Sequence, residues 1–124
     1  MVFLVPVLSL VGGRGGVWAM KMLSDDGFVK WTSPKRLCDG VMATPPITLT
    51  NGDIMLPVSI WKFLKPEDSE MIRHSFPYWG NSGVYVSSDK LETVRYVGGA
   101  DEPDTTFDEN AIVERADGSL YMIM

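Results

Sequence analysis

The stretch FDENAIVERADGSLYMIM, residues 107–124, decides the predicted fold. It places two short apolar runs on either side of the pair Asp117-Gly118. An Asp-Gly pair between apolar runs is a strong signal for a β-hairpin, because both residues of a tight two-residue turn must tolerate positive φ. We therefore predict a hairpin that reverses direction at this pair.

The same design occurs earlier, in ITLTNGDIML at residues 47–56, with Asn51-Gly52 at the turn. Gly52 and Gly118 are 66 residues apart. A hairpin that recurs at this spacing is typical of a repeated structural unit. The second copy stops within its second strand, so we expect the sequence to be part of a larger repeat protein.

Composition limits the classes of function. A chain of 124 residues is long enough for one domain with a real core. Its 45% hydrophobic and 22% charged residues are typical of a soluble globular protein and exclude a disordered one. A net charge of −5 argues against nucleic acid and anionic membrane surfaces as partners.

Metal and cofactor chemistry finds little support in the sequence. The single cysteine, Cys38, excludes an internal disulfide, and we interpret it as a buried or idle thiol. His74 is the only histidine, so no metal-binding cluster is predicted. The eight methionines fall mostly in strand-like runs and indicate core filling. No cofactor is predicted.

The N-terminal run at residues 2–11 has two interpretations. It has the length of the apolar core of a signal peptide, and small residues follow it at 12–16, but no Lys or Arg precedes it. It is too short to span a bilayer as a helix. We favour a buried strand, turned by the glycines into a second strand at residues 17–23.

Short strands and frequent turns continue along the chain, and no amphipathic helix of useful length is found. We expect the Ser-Asp-Gly cluster after Ser24 to form a turn, with Trp31 folding back as an apolar plug. The further predicted strands lie at residues 35–38, 47–50, 54–61, 83–87 and 93–97. Three units follow, at residues 1–43, 44–106 and 107–124, the last incomplete. Four short strands per unit indicate an all-β fold made of β-propeller blades, and a β-sandwich is the alternative.

Two segments resemble the Asp-box of sialidases, Ser-x-Asp-x-Gly-x-Thr-Trp. In residues 24–31, Ser24, Asp26 and Trp31 match the pattern, while the glycine is one place early and a lysine replaces the threonine. Residues 87–94 keep the serine, aspartate and threonine and lose the glycine and tryptophan. The chain thus resembles the sialidase-like BNR-repeat family. The resemblance implies a six-bladed propeller, of which this sequence supplies about two and a half four-stranded antiparallel blades.

The resemblance also implies a catalytic residue. Residues 107–114, followed by Asp117-Gly118, are similar to the family segment that leads into the innermost strand of a blade. In sialidases this segment carries a glutamate that polarises a tyrosine nucleophile, and Glu109 matches it. A phenol with a pKa near 10 needs such a carboxylate to act as a nucleophile. The alternative is that Glu109 caps backbone N–H groups at the start of a strand. We expect Glu114, by contrast, to face outward.

The long connection at residues 62–82 holds the candidate substrate-binding residues. Arg73 could pair with a substrate carboxylate, and Tyr78 and Trp79 could stack on a sugar or hold their own loop in place. The expected partner is a glycan. Open sheet edges and an uncovered sheet face also predict self-association.

The leading hypothesis for function is an exo-sialidase that releases terminal sialic acid, in a larger protein of which this chain is a part. The alternatives are a non-catalytic carbohydrate-binding or scaffolding propeller, and a propeller hydrolase of another glycan. The resemblance favours a secreted or periplasmic protein, although the residues themselves leave the compartment open.

Overall fold

The computed structural model describes residues 2–4, 16–25, 28–60, 82–100 and 109–124. These residues form antiparallel β-sheets and contain no helix, so the all-β prediction is confirmed for them. No helix in this part of the chain is long and apolar enough to cross a membrane. The strands are β1 (Val2–Leu4), β2 (Val17–Asp25), β3 (Phe28–Trp31), β4 (Lys35–Cys38), β5 (Ile47–Thr48), β6 (Ile54–Ser59), β7 (Ser82–Ser87), β8 (Arg95–Ala100), β9 (Ala111–Glu114) and β10 (Leu120–Ile123).

The first sheet is built around the nine-residue strand β2. Strand β2 pairs with β1, β3 and β4, always antiparallel. The structure corrects the prediction for this region, because β2 continues through Ser24 and Asp25, where we expected a turn. Trp31 lies in β3, opposite Met22, and 40% of it is exposed, so it is not a buried plug.

The second sheet is a four-stranded meander in the order β5-β6-β7-β8, with each strand paired to the next in sequence. Strand β6 is central and almost wholly buried. Strand β5 has only two residues. Prolines explain why β5 is short, because proline lacks the N–H group that pairing between strands needs. Pro45 and Pro46 precede β5, and Pro57 lies in the part of β6 that does not pair with β5.

The third sheet is the hairpin β9–β10, and its turn repeats the β5–β6 turn bond for bond. Gly52 N–H donates to the Leu49 carbonyl, and Leu49 N–H donates to the Asp53 carbonyl. The same two bonds recur 66 residues later among Arg115, Gly118 and Ser119. Both predicted hairpins are therefore confirmed, with equivalent registers.

The turn type differs from the prediction. Only the glycine has positive φ in each turn, 91° at Gly52 and 81° at Gly118. Asn51 instead accepts a hydrogen bond from Asp53 N–H through its side chain, and Asp117 does the same for Ser119 N–H. This is the pattern of a three-residue loop in which a glycine bulge follows an ordinary turn. The polar side chain fixes the turn, and the glycine alone carries the left-handed conformation.

The turn between β7 and β8 is held by a network of side chains. The Asp89 carboxylate accepts hydrogen bonds from the Ser87 hydroxyl at 2.8 Å and from the N–H and hydroxyl of Thr93 at 2.9 and 2.6 Å. Ser87 in turn accepts from Leu91 N–H at 2.9 Å. Lys90 and Leu91 have φ of 59° and 67°, a conformation that side-chain-bearing residues rarely adopt.

Two apolar clusters join the sheets. The first contains β2 and β4 residues, Leu56 and Val58 of β6, and Leu91 of the β7–β8 turn, which is 3% exposed. The second contains Met55 and Val86 of the second sheet and Ile112 of β9. Alternate residues of β6 thus face opposite neighbours, because successive side chains of a strand point to opposite faces. The second sheet lies between the other two.

Candidate functional site

The candidate catalytic residue, Glu109, lies two residues before β9 and is exposed to solvent. Its neighbour Asn110 is only 3% exposed. No hydrogen bond or ion pair joins Glu109 to another of the described residues. Capping of backbone N–H groups by Glu109 therefore receives no support within this part of the chain.

Asn110 anchors the start of β9 to the second sheet. Its side-chain N–H donates to the Gly83 carbonyl at 2.9 Å, and its side-chain oxygen accepts from the Ser59 hydroxyl at 3.2 Å. The Thr44 hydroxyl donates to its backbone carbonyl. Buried polar groups need such partners, because an unpaired one costs about 1–3 kcal/mol. The backbone beside Glu109 is consequently held by three contacts from three separate segments.

Asn110 was not among the residues predicted from the sequence. Its partners lie 27, 51 and 66 residues away in sequence, so no local pattern reveals that it is buried.

A second buried polar group lies next to this network. Ser82 pairs with Ser59 across β6 and β7, and its hydroxyl is fully buried without a hydrogen-bond partner among the described residues. The two serines mark the end of the second sheet that Asn110 contacts. Polar groups are thus concentrated at this end of the sheet, close to the start of β9.

The Ser87–Asp89–Thr93 turn lies at the opposite end of β7. Asn110 contacts Gly83 near the first residue of β7, whereas the turn follows its last residue. A six-residue strand has a length of about 17 Å. The turn is therefore far from Glu109, and we assign it a structural role only.

Electrostatic shifts occur in turns and in the core. Hydrogen bonds from the side chain and backbone of Thr93, and from Ser87, hold the pKa of Asp89 well below its usual range. Burial, with a smaller contribution from Asp39, raises the pKa of Cys38 to about 12. Cys38 is therefore a buried neutral thiol, as expected, and has no nucleophilic role.

The remaining sequence candidates have different outcomes. Arg73, Tyr78 and Trp79 lie outside the described residues. Glu114 does not face freely outward as expected, because it accepts hydrogen bonds from the N–H and hydroxyl of Thr50 at 2.9 and 2.8 Å. Glu114 thereby ties β9 to the β5–β6 turn.

Two cavities of about 190 Å³ lie between sheets. One is an apolar groove between the second sheet and the β9–β10 hairpin, lined by residues such as Met55, Val84 and Leu120. The other lies at the β7–β8 turn, where Glu92 forms exposed ion pairs with Lys21 and Lys35 at 3.0 and 2.6 Å. Within the described ranges, no group of three His, Cys, Asp or Glu side chains could hold a metal ion.

The structure therefore places the exposed carboxylate of Glu109 next to Asn110, whose hydrogen bonds anchor the beginning of β9. Comparisons with protein-family models, with curated proteins and with solved structures found no match. The chemistry expected of Glu109 accordingly rests on the resemblance of residues 107–114 to the sialidase segment.

Proposed function

We propose that this chain contributes blades to a sialidase-like β-propeller that hydrolyses terminal sialic acid from glycans. Three features support the propeller. The second sheet is a four-stranded meander, a Ser-Asp-Thr turn joins its third and fourth strands, and an equivalent hairpin recurs after 66 residues. A four-stranded sheet is the unit from which propeller blades are built, and this supports the proposal.

The observation that carries the proposed chemistry is the contrast between Glu109 and Asn110. The carboxylate of Glu109 is accessible to solvent, while the backbone of the next residue is held in place by the buried hydrogen bonds of Asn110. In this proposal Glu109 accepts the proton of a tyrosine whose phenolic oxygen attacks the anomeric carbon. The glycosidic C–O bond breaks at the same time, and a general acid from another blade protonates the departing oxygen. A neutral phenol approaches an anionic sugar more easily than a carboxylate does, and sialidases are the known exception to the two-carboxylate rule.

The proposed substrate contacts come from the segment between β6 and β7. Arg73 would pair with the sugar carboxylate, because guanidinium matches carboxylate geometry in a bidentate manner. Tyr78 and Trp79 would stack on the sugar ring. Ser59 and Ser82 lie on either side of this segment, at the end of the sheet that Asn110 contacts.

The experiment compares two proteins with a fluorogenic sialoside. The 124-residue chain should show no turnover above background, since the tyrosine, the general acid and the arginine cluster of a sialidase are distributed around the whole ring. A longer protein that contains these residues within a complete propeller should be active. Glu109→Gln should reduce its kcat by about a hundredfold or more.

Glu92→Gln is the matched control, because it makes the same chemical change in an exposed carboxylate at the far turn. It should leave turnover unchanged. Equal activity of the Glu109→Gln protein and its parent would refute the catalytic role. Glycan binding without hydrolysis by the longer protein would favour a carbohydrate-binding propeller instead. Turnover by the 124-residue chain that is lost on Glu109→Gln would show that the active groups are not distributed as argued.

A further inference from the structure

The described residues form three sheets that pack side by side in sequence order, so each outer sheet has one face that neither of the other two covers. In β6, Leu56 and Val58 pack toward the first sheet, while Met55 packs toward Ile112 of the third. We call the side of a sheet that faces the next sheet along the chain its front face, and the opposite side its rear face. Each internal interface therefore joins the front face of one sheet to the rear face of the next.

The front face of the third sheet is exposed. Ile112 is buried toward the second sheet, so strand alternation places Val113 on the opposite side, together with Tyr121, its cross-strand partner, and Ile123. These three side chains, the β9–β10 front face, are 47%, 60% and 53% exposed.

The 66-residue repeat indicates what such a face accepts. Val113 and Tyr121 correspond to Ile47 and Met55, which pack against β9 in the second cluster. The β9–β10 front face is therefore the counterpart of a surface that another sheet covers within this same molecule.

The rear face of the first sheet is exposed in a complementary way. Ala19 packs toward the second sheet, so Met20 and Met22 point to the other side. Trp31 lies opposite Met22, and Val29 shares its side two residues earlier; these residues form the β2–β3 rear face. Trp31 and Val29 are 40% and 61% exposed.

The sequence repeat also identifies this rear face. When Ser24 is aligned with Ser87, Met22 corresponds to Tyr85 of β7. Tyr85 packs into the cluster by which the second sheet covers the first. The β2–β3 rear face is thus the counterpart of a surface that docks onto a front face inside this chain.

We propose that these two faces bind each other between molecules, so that the β9–β10 front face of one copy packs on the β2–β3 rear face of a second copy. The contact repeats the internal sheet-to-sheet interface, which is why the occupant is a copy of this chain. Because the two faces differ, the contact is head-to-tail, and each dimer keeps one free face of each kind. Assembly then continues until a ring closes or a fibre grows. The inference concerns the 124-residue chain by itself and does not depend on the proposed glycosidase activity, because in the longer propeller proposed above further blades would cover both faces.

Two variants test the arrangement by sedimentation velocity over a wide range of protein concentration. Tyr121→Lys places a charge on the front face, and Val29→Lys places one on the rear face. Both side chains are at least 60% exposed, so a lysine at either position can extend into solvent in the monomer. The unchanged chain should gain mass with concentration, and each variant alone should associate at least about tenfold more weakly, since burying an unpaired ammonium is costly.

A mixture of the two variants gives the decisive result. The intact rear face of the Tyr121→Lys protein should bind the intact front face of the Val29→Lys protein, forming a one-to-one dimer that cannot grow further. Ala116→Lys, at the exposed tip of the hairpin, is the control that adds the same charge away from both faces, and it should associate like the unchanged chain.

Three results would overturn the proposal. The unchanged chain could stay monomeric at every concentration, the mixed variants could fail to form dimers, or Val29→Lys could associate as strongly as the unchanged chain. The last result would indicate a symmetric contact through β10, such as pairing of its free edge. Circular dichroism verifies that each variant is folded. Ile123→Lys and Trp31→Lys replace any variant that is not.

Discussion

Replacing Asn110 by alanine tests whether the buried network at the start of β9 holds the third sheet in place. The change removes the hydrogen bonds of the side chain to Gly83 and Ser59 and leaves both of these buried groups without that partner. Each lost bond costs about 0.5–1.5 kcal/mol net, and an unsatisfied buried group adds about 1–3 kcal/mol. We expect a loss of about 3 kcal/mol in the free energy of unfolding.

This loss is large relative to the usual stability of a domain, about 5–15 kcal/mol. For a chain of 124 residues it corresponds to a decrease in Tm of about 12 °C, from the average unfolding entropy per residue. Urea denaturation followed by tryptophan fluorescence measures the free energy, and calorimetry measures Tm. Both are performed on the Tyr121→Lys background, where association does not contribute.

Asn51→Ala is the matched control. It removes the same side chain from an exposed turn, where water replaces the bonds to Asp53, and should cost less than about 1 kcal/mol. The double variant Ser59→Ala/Asn110→Ala should be less destabilised than the sum of its parts, by about 1 kcal/mol. If Asn110→Ala costs no more than Asn51→Ala, the buried network is not what anchors the strand.

Three further outcomes are expected. Ser82→Ala removes a buried hydroxyl without a partner and should raise the unfolding free energy by up to about 1 kcal/mol in urea denaturation; a loss would show that the hydroxyl is satisfied. Gly40→Ala should cost several times more than Gly118→Ala, because the new methyl group would lie 2.4 Å from Val58, whereas Gly118 has open space; equal urea midpoints would contradict this. The lowered pKa of Asp89 implies that its ionised form stabilises the fold above the ordinary pKa of the group, and that this stabilisation is lost as pH falls. The Tm of the unchanged chain should therefore exceed that of Asp89→Asn at neutral pH, and the difference should shrink below about pH 4. A difference in Tm that does not change with pH would refute this role.

The hairpins were predictable because their signals are local. Asn51-Gly52 and Asp117-Gly118 each lie between apolar runs, and a turn of a few residues is determined by those residues themselves. The turn type was not predictable from these dipeptides. It depends on the hydrogen bond that the side chain of Asn51 or Asp117 accepts from the N–H of Asp53 or Ser119, and in this turn only the glycine has a left-handed conformation.

The error at Trp31 has a similar origin. The Ser-Asp-Gly cluster led us to expect a turn from Ser24 onward, although Asp26-Gly27 between two apolar runs is itself a hairpin signal. Strands β2 and β3 pair on either side of that dipeptide. The weaker box at residues 87–94, by contrast, has its Ser, Asp and Thr in one hydrogen-bonded turn.

The candidate site was only half predictable. Glu109 could be identified from the segment that surrounds it in the sequence. Asn110 could not, because its burial is created by Ser59 and Gly83 of the neighbouring sheet. A residue whose role depends on distant partners has no signature in a single sequence.

The left-handed conformation of Leu91 has a consequence for how the protein can be divided. A leucine with positive φ costs about 1–2 kcal/mol, and here its side chain is buried against Val17 and Ala19 of the first sheet. Burial of a leucine is worth about 1.5–3 kcal/mol, enough to offset that cost only while the first sheet is present. Excision of residues 44–100 would therefore loosen the β7–β8 turn and expose it to proteases, so this meander is not an independently folding module despite its complete strand pairing.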